Sequence, residues 1–317
     1  MSSSINTNVA AMTALQQLTQ TNKSLTEVQN RISTGYRVAE ASDNAAYWSI
    51  ATTLRSDRSA LSTVQDALGL GSSVIDVAYT AMDSAIKVVS DIKAKLVAAS
   101  SPGIDKAKVQ SEIAELQKQL TGIASSAEFS GQNWMSINSG ASGFNATKSV
   151  VSSFTRTGGV VAVQTISIDT AGMDLFDANA ATTNAAAGIL DANRTTTGAI
   201  DNTASTFTVS TMSIAALTES PADIAILDSY IKGADAAIKE MTTAASSLGA
   251  VKSRIGLQED FVKSLMDVLD RGIGKFVDAD MSQESTRLQA LQVKQQLGVQ
   301  SLGIANSSSQ NILRLFQ

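Results

Sequence analysis

The hydrophobic positions of this chain follow helical spacing near both ends and lose it in the middle. In residues 5–32 the apolar side chains are Ile5, Val9, Met12, Leu15, Leu18, Leu25, Val28 and Ile32. Steps of three and four predict a helix with one apolar face. From Ile50 the pattern is stricter: Ile50, Leu54, Asp57, Leu61, Val64, Leu68, Gly71, Ile75, Ala78, Met82, Ala85, Val89, Ile92 and Leu96 alternate steps of four and three. A sustained 3.5-residue repeat belongs to a coiled coil or a long bundle helix. As one helix, residues 50–96 would span about 70 Å, so a rod is expected. SSPG at 100–103 breaks the pattern, and Val109, Ile113, Leu116, Leu120, Ile123 and Ala127 resume it. The short break predicts a second helix folded back on the first.

Residues 139–222 differ: Ser and Thr supply 25 of these 84 positions, and nine are charged. KSVVSSFTRTGGVVAVQTISI (148–168) holds two β-branched runs around Gly158–Gly159, which predicts a hairpin. The following TTNAAAGILDANRTTTGAIDNT has little periodicity. This middle is expected to be a small, partly β, surface-exposed insertion.

Helix is expected again from Ser220–Pro221, an N-cap residue followed by Pro at the first helical position. Ile224, Leu227, Ile231, Ala234, Ile238, Met241, Ala245 and Leu248 alternate three and four, and the stripe then shifts phase through Ile255, Val262, Leu265 and Leu269. The two glycines of DRGIGKFVDAD (270–280) suggest a break or hinge. A last helix carries Leu288, Leu291, Gly298, Leu302, Ile304, Ala305, Ile312, Leu313, Leu315 and Phe316. A chain that runs out along a rod and returns has its ends side by side. The fold class is therefore mainly α: a coiled-coil-like helical rod, paired terminal helices and a small β-rich inserted outer region.

Composition narrows the chemistry. There is no Cys and no His, which excludes thiol and histidine catalysis and the common zinc and haem ligand sets. Two prolines in 317 residues suit long helices, and a net charge of −5 gives no footprint for nucleic acid. No run of about 18 apolar residues exists, so no membrane insertion is expected. MSSSINTNVAAMTAL lacks a basic start followed by an apolar run, so no cleaved signal peptide is expected. No cofactor is implied.

Few residues suggest a site. Asp278, Asp280 and Glu284 form either an acid or metal cluster or an acidic helix start that complements the dipole. Arg31, Arg37, Arg55 and Arg58, with Glu40, Asp43 and Asp57 interspersed, form either an anion patch or solvated or intersubunit ion pairs. Tyr47–Trp48 is either a partner contact or core filling. Asp57 and Gly71 interrupt the long seam; either the seam tolerates them near its surface, or they fix register.

RISTGYRVAEASDNAAYWSIA (31–51) resembles the N-terminal signature of bacterial flagellins. DADMSQESTRLQALQVKQQLGVQSLGIANSSSQNILRLFQ (278–317) resembles their C-terminal one, and SSAEFSGQNW (125–134) the segment entering their hairpin. The ASDNAAYWSIATTLRSD wording is most like flagellins of rhizobial alphaproteobacteria with complex filaments. The resemblance implies a self-assembling, non-enzymatic subunit of the extracellular flagellar filament. It implies an inner channel-lining domain at 1–42 with 276–317, a helical rod domain at 43–140 with 221–275, and a variable outer region at 141–220. The implied partners are further copies of the chain, related flagellins, the flagellar export apparatus and its chaperone, the filament cap and hook-associated proteins.

Two stretches depart from the family's immune-receptor motifs: Val88, Val89, Ser90, Asp91 and Ile92, and Ser42, Asp43, Asn44, Ala45, Ala46 and Tyr47. On this reading the assembly interface comprises Ile5, Val9, Met12, Leu15, Leu18, Leu25, Val28, Ile32, Leu288, Leu291, Leu302, Ile304, Ile312, Leu313, Leu315 and Phe316. The rod core comprises Ile50, Leu54, Leu61, Val64, Leu68, Ile75, Val89, Ile92, Ile231, Ile238 and Leu248. Two rivals share parts of the pattern: a hook-associated junction protein, and a secreted coiled-coil adhesin.

Overall fold

A computed structural model describes residues 8–179, 187–201 and 207–314. Among the described residues five helices and six strands follow one another: α1 (Val9–Thr34), α2 (Ala45–Ala99), α3 (Lys106–Ser126), β1 (Glu128–Phe129), β2 (Gln132–Asn133), β3 (Ser136–Ile137), β4 (Thr147–Thr157), β5 (Val160–Asp169), β6 (Phe176–Asp177), α4 (Pro221–Val277) and α5 (Met281–Arg314). The chain divides into two compact units at Ser59/Ala60 and Ser264/Leu265.

The larger unit, residues 60–264, carries the seam. Every seam position from Leu61 to Leu96 is buried, Gly71 included. Lys93 pairs with Asp235 at 2.6 Å and Lys252 with Asp76 at 2.6 Å, which sets α2 and α4 antiparallel here. Hydrogen bonds from Lys93, and then from Lys239, hold the Asp235 carboxyl down to about 2. Lys95 reaches Glu112 at 2.5 Å and ties α3 alongside. Of the expected core residues in this unit, Leu61, Val64, Leu68, Ile75, Val89, Ile92 and Leu248 are buried, while Ile231 and Ile238 are half-buried. Asp105 caps α3 by accepting from Ala107 and Lys108. Ser220 caps α4, its Oγ accepting from the Asp223 amide at 3.2 Å, with Pro221 first in the helix.

The predicted hairpin forms. β4 and β5 pair antiparallel around Gly158 and Gly159, whose φ angles of 61° and 85° suit a two-residue primed turn. A bulge falls at Ser152, and the Ser152 carbonyl accepts from Gln258 Nε2 at 2.9 Å. β1 and β2 form a second, short hairpin where the family-like SSAEFSGQNW lies. β3 pairs parallel with β6.

Gly71 has a reason that seam spacing did not suggest. A Cβ there would sit 2.6 Å from Val150 Cγ1 and 2.8 Å from Cγ2. The glycine is a notch in α2 that seats β4. Gly69, on the same helix, faces open space. Ala is worth up to about 1 kcal/mol over Gly in a helix, whereas overpacking costs about 1–3 kcal/mol. Gly69→Ala is therefore expected to raise the melting temperature and Gly71→Ala to lower it, with Val150→Ala reversing the second loss. Thermal melts of Gly69→Ala, Gly71→Ala and the Gly71→Ala, Val150→Ala double variant check this, and equal gains at both glycines would contradict the notch.

The smaller unit holds residues 8–59 and 265–314 among those described. Here the break expected within 270–280 falls at 278–280, between α4 and α5, and not at the two glycines. Gly272 and Gly274 lie inside α4, which continues to Val277. Burial overrides their weak propensity: Ile273 and Val277 pack with Val38 and Ala51, with Leu54 and Phe276 against them. The helix ends where another segment takes its carbonyls. The Arg37 and Val38 amides donate to Val277 O, and the Arg37 guanidinium to Phe276 O at 3.0 Å. Ile50, expected in the core, is 45% exposed, because seam burial begins only after it.

Candidate assembly interface

α1 and α5 lie antiparallel along their length. Asn8 Nδ2 donates to Ala305 O at 3.0 Å, Gln295 Nε2 to Asn22 Oδ1 at 2.8 Å, and Arg31 meets Glu284 at 3.3 Å. Between them Leu18 lies against Gly298, where a Cβ would stand 3.3 Å from Leu18 Cδ1. The ends are well defined by local chemistry. Gly35, at φ 75°, closes α1 in the left-handed conformation with its amide on Arg31 O. Asp280 Oδ1 accepts from the Ser282 and Gln283 amides and caps α5. Tyr36 bridges Asp278 in the backbone beside both ends.

This placement answers the acidic and basic clusters. Asp280 is a helix cap, and Glu284 is a buried partner of Arg31. Arg31 also binds Glu27 at 2.5 Å, Arg58 binds Asp270 at 3.0 Å, and Arg55 stacks over the Tyr36 ring at 5.2 Å. Of the interspersed acids, Asp43 accepts the Ala39 and Glu40 amides, and Glu40 accepts from Ser42. Among the described residues no group of three His, Cys, Asp or Glu side chains can hold a metal ion, and no helix is long and apolar enough to cross a membrane.

The pair makes a thin core. On α1 only Thr21 and Val28 are buried, with Leu18, Leu25 and Ile32 half-buried beside them. Leu288, Leu291 and Leu302 supply the half-buried face of α5. The single apolar face expected for α1 is corrected into two. A helix advances about 100° per residue, so steps of three wind backwards around it. Val9, Met12 and Leu15 leave the covered face this way, and Val9 and Met12 are 68% and 65% exposed.

α5 has a matching second face, of which the sequence pattern marked Ile304 but not Val293 or Leu297. Val293, Leu297 and Ile304 stand at steps of four and seven on the side away from α1, each more than half exposed. Their spacing was the available signal; Leu288 and Leu291, on the other face, masked it. Ile5, Leu315 and Phe316 lie outside the described residues. For Ile312 and Leu313 only helical backbone is described.

Strongly shifted carboxyls lie far along the chain from this pair. Burial pushes Asp174 and Asp191 up to about 6, with repulsion from Asp177 added at each.

Two antiparallel end helices thus each present an uncovered apolar face. Comparison with known proteins gives the family. The bacterial flagellin N-terminal helical region matches residues 5–139, and the C-terminal helical region matches 231–316. Flagellin C of Rhizobium meliloti (strain 1021) is 52% identical over 99% of both chains. Flagellin A of Rhizobium meliloti is 42% identical over 99% of this chain and all of its own. A flagellin of Brucella melitensis biotype 1 is 43% identical over 99% of both. The chain belongs to the bacterial flagellin family and is a structural subunit of a flagellar filament.

Proposed function

We propose that this chain polymerises through α1 and α5 into the extracellular helical filament that serves as a swimming propeller. The observation that carries the reading is the pair of uncovered apolar faces, Val9–Met12–Leu15 and Val293–Leu297–Ile304. Burying an aliphatic side chain contributes about 1.5–3 kcal/mol, so six half-wet ones are a large reserve for contacts with neighbouring copies. Contacts of this heterologous kind that do not close into a ring give an open filament.

On this reading residues 1–42 and 276–317 form the inner, channel-lining layer. Residues 43–140 and 221–275 form the next layer, and 141–220 face solvent. Family membership supports further partners: related flagellins, the flagellar export apparatus with a chaperone, the filament cap and hook-associated proteins. Export without a cleaved signal peptide belongs to the same reading. The test is negative-stain microscopy of the full chain concentrated with a precipitating salt. Long uniform tubes are expected; short rods or rings would favour a junction protein or an adhesin.

A further inference from the structure

We propose that an aromatic patch at the start of α2, centred on Trp48, is covered by a second copy of this chain on assembly; the inference rests on the polymerisation reading above. Every residue from Ala41 to Ile50 is exposed. That run includes Tyr47, Trp48 and Ile50, in a chain where aromatics are 4% of residues.

Helix geometry explains why the unit cannot cover them itself. Tyr47, Ala51 and Leu54 share one face of α2 at steps of four and three. That face meets Val38, Ile273, Val277 and Phe276, and Ala51 is 1% exposed. Trp48 and Ile50 flank the face on opposite sides, and stay 37% and 45% exposed. The Tyr47 ring stacks on Phe276, centroids 5.7 Å apart, yet remains open to solvent. On the Trp48 side the surface extends further: Arg55, seven residues on, lies on the same side of the helix, with its guanidinium over the exposed Tyr36 ring.

Trp, Tyr and Arg together are the composition that dominates protein–protein contacts. The patch belongs to the same compact unit as the uncovered faces of α1 and α5. From Ala41 to Ile50 the one charged side chain is Asp43, whose carboxylate is engaged by two local amides. Nothing there repels an identical copy.

The protein carries its own reporter. It has two tryptophans, and Trp134, in the larger unit, is 5% exposed. In the monomer, acrylamide is expected to quench one tryptophan readily and spare the other. In sedimented filaments both should be shielded, with the accessible component reduced at least several-fold and the emission shifted to the blue. Trp48→Ser is expected to leave the monomer's circular dichroism unchanged and raise the critical concentration roughly tenfold, with Trp48→Phe recovering much of the loss. Filaments in which Trp48 remains as quenchable as in the monomer would overturn this inference and leave polymerisation standing. So would a Trp48→Ser chain that assembles at the wild-type concentration. Failure of the wild type to polymerise would overturn the reading beneath and this inference with it.

Discussion

Deletion of residues 306–317 is expected to abolish filaments while the larger unit stays folded. The α1–α5 pair is held at its open end by Asn8 on Ala305, the last residue before the cut. The deleted stretch contains Ile312, Leu313, Leu315 and Phe316. If each contributes the usual 1.5–3 kcal/mol on burial against neighbours, the loss is at least about 6 kcal/mol per subunit added. That corresponds to roughly four orders of magnitude in the addition constant. Such a chain has no accessible critical concentration. The seam from Leu61 to Leu96 lies in the other unit, so its thermal transition should stay within a degree or two. Negative-stain images of the truncated chain, beside the full one under the same salt, decide the matter. Normal tubes would contradict the assignment of the C-terminal stretch to the interface.

The second large effect concerns the middle region. Arg194 is fully buried and holds that region to α4. Its Nη2 donates to Glu240 Oε2 at 2.6 Å and to Ile189 O at 2.8 Å, while Nη1 donates to Glu240 Oε1 at 3.2 Å and Gly198 O at 3.1 Å. The two partners are unequal, since the Glu240 side chain is 37% exposed. Glu240→Ala leaves a guanidinium without a counter-ion in a dry site, which typically costs about 3–5 kcal/mol. Arg194→Met lets Glu240 turn to water and forfeits chiefly the two carbonyl contacts, so a smaller loss of about 2–3 kcal/mol is expected. Limited proteolysis reads the opening of residues 187–201 and 207–218 directly. Cleavage should quicken on the order of a hundred-fold or more for Glu240→Ala, and less for Arg194→Met. Wild-type resistance in both would show that the bidentate pair does not hold the region. Filament formation should survive either change, which separates this effect from the first.

Local pattern was enough for some elements and not others. The 3.5-residue repeat marked the buried seam of α2 because positions three and four apart share one helix face, and that face is the one its neighbours cover. Gly158–Gly159 marked the hairpin because the turn itself needs two positive φ angles. Arg194 was invisible for the opposite reason. It sits in a polar segment without periodicity, and its counter-ion is on a helix far along the chain. The Gly71 notch likewise depends on Val150, a contact that spacing along α2 cannot contain. At Gly272 and Gly274 local propensity pointed to a break, and packing against Val38 and Ala51 overrode it. In α1 the steps of three and four marked the apolar residues but not that they divide between two faces. On the uncovered face of α5 the pattern marked Ile304, while the Leu288–Leu291 spacing on the other face masked Val293 and Leu297.

The central claim is that the end helices are completed by neighbours rather than by each other. Amide hydrogen exchange on the monomer and on sedimented filaments tests it most directly. With so thin a core, the amides of Val9–Leu25 and of 291–305 should exchange quickly in the monomer, close to unprotected rates, while those along Leu61–Leu96 are slow. In the filament both end segments should slow by several orders of magnitude. Strong protection of both end segments already in the monomer, unchanged on assembly, would contradict the claim.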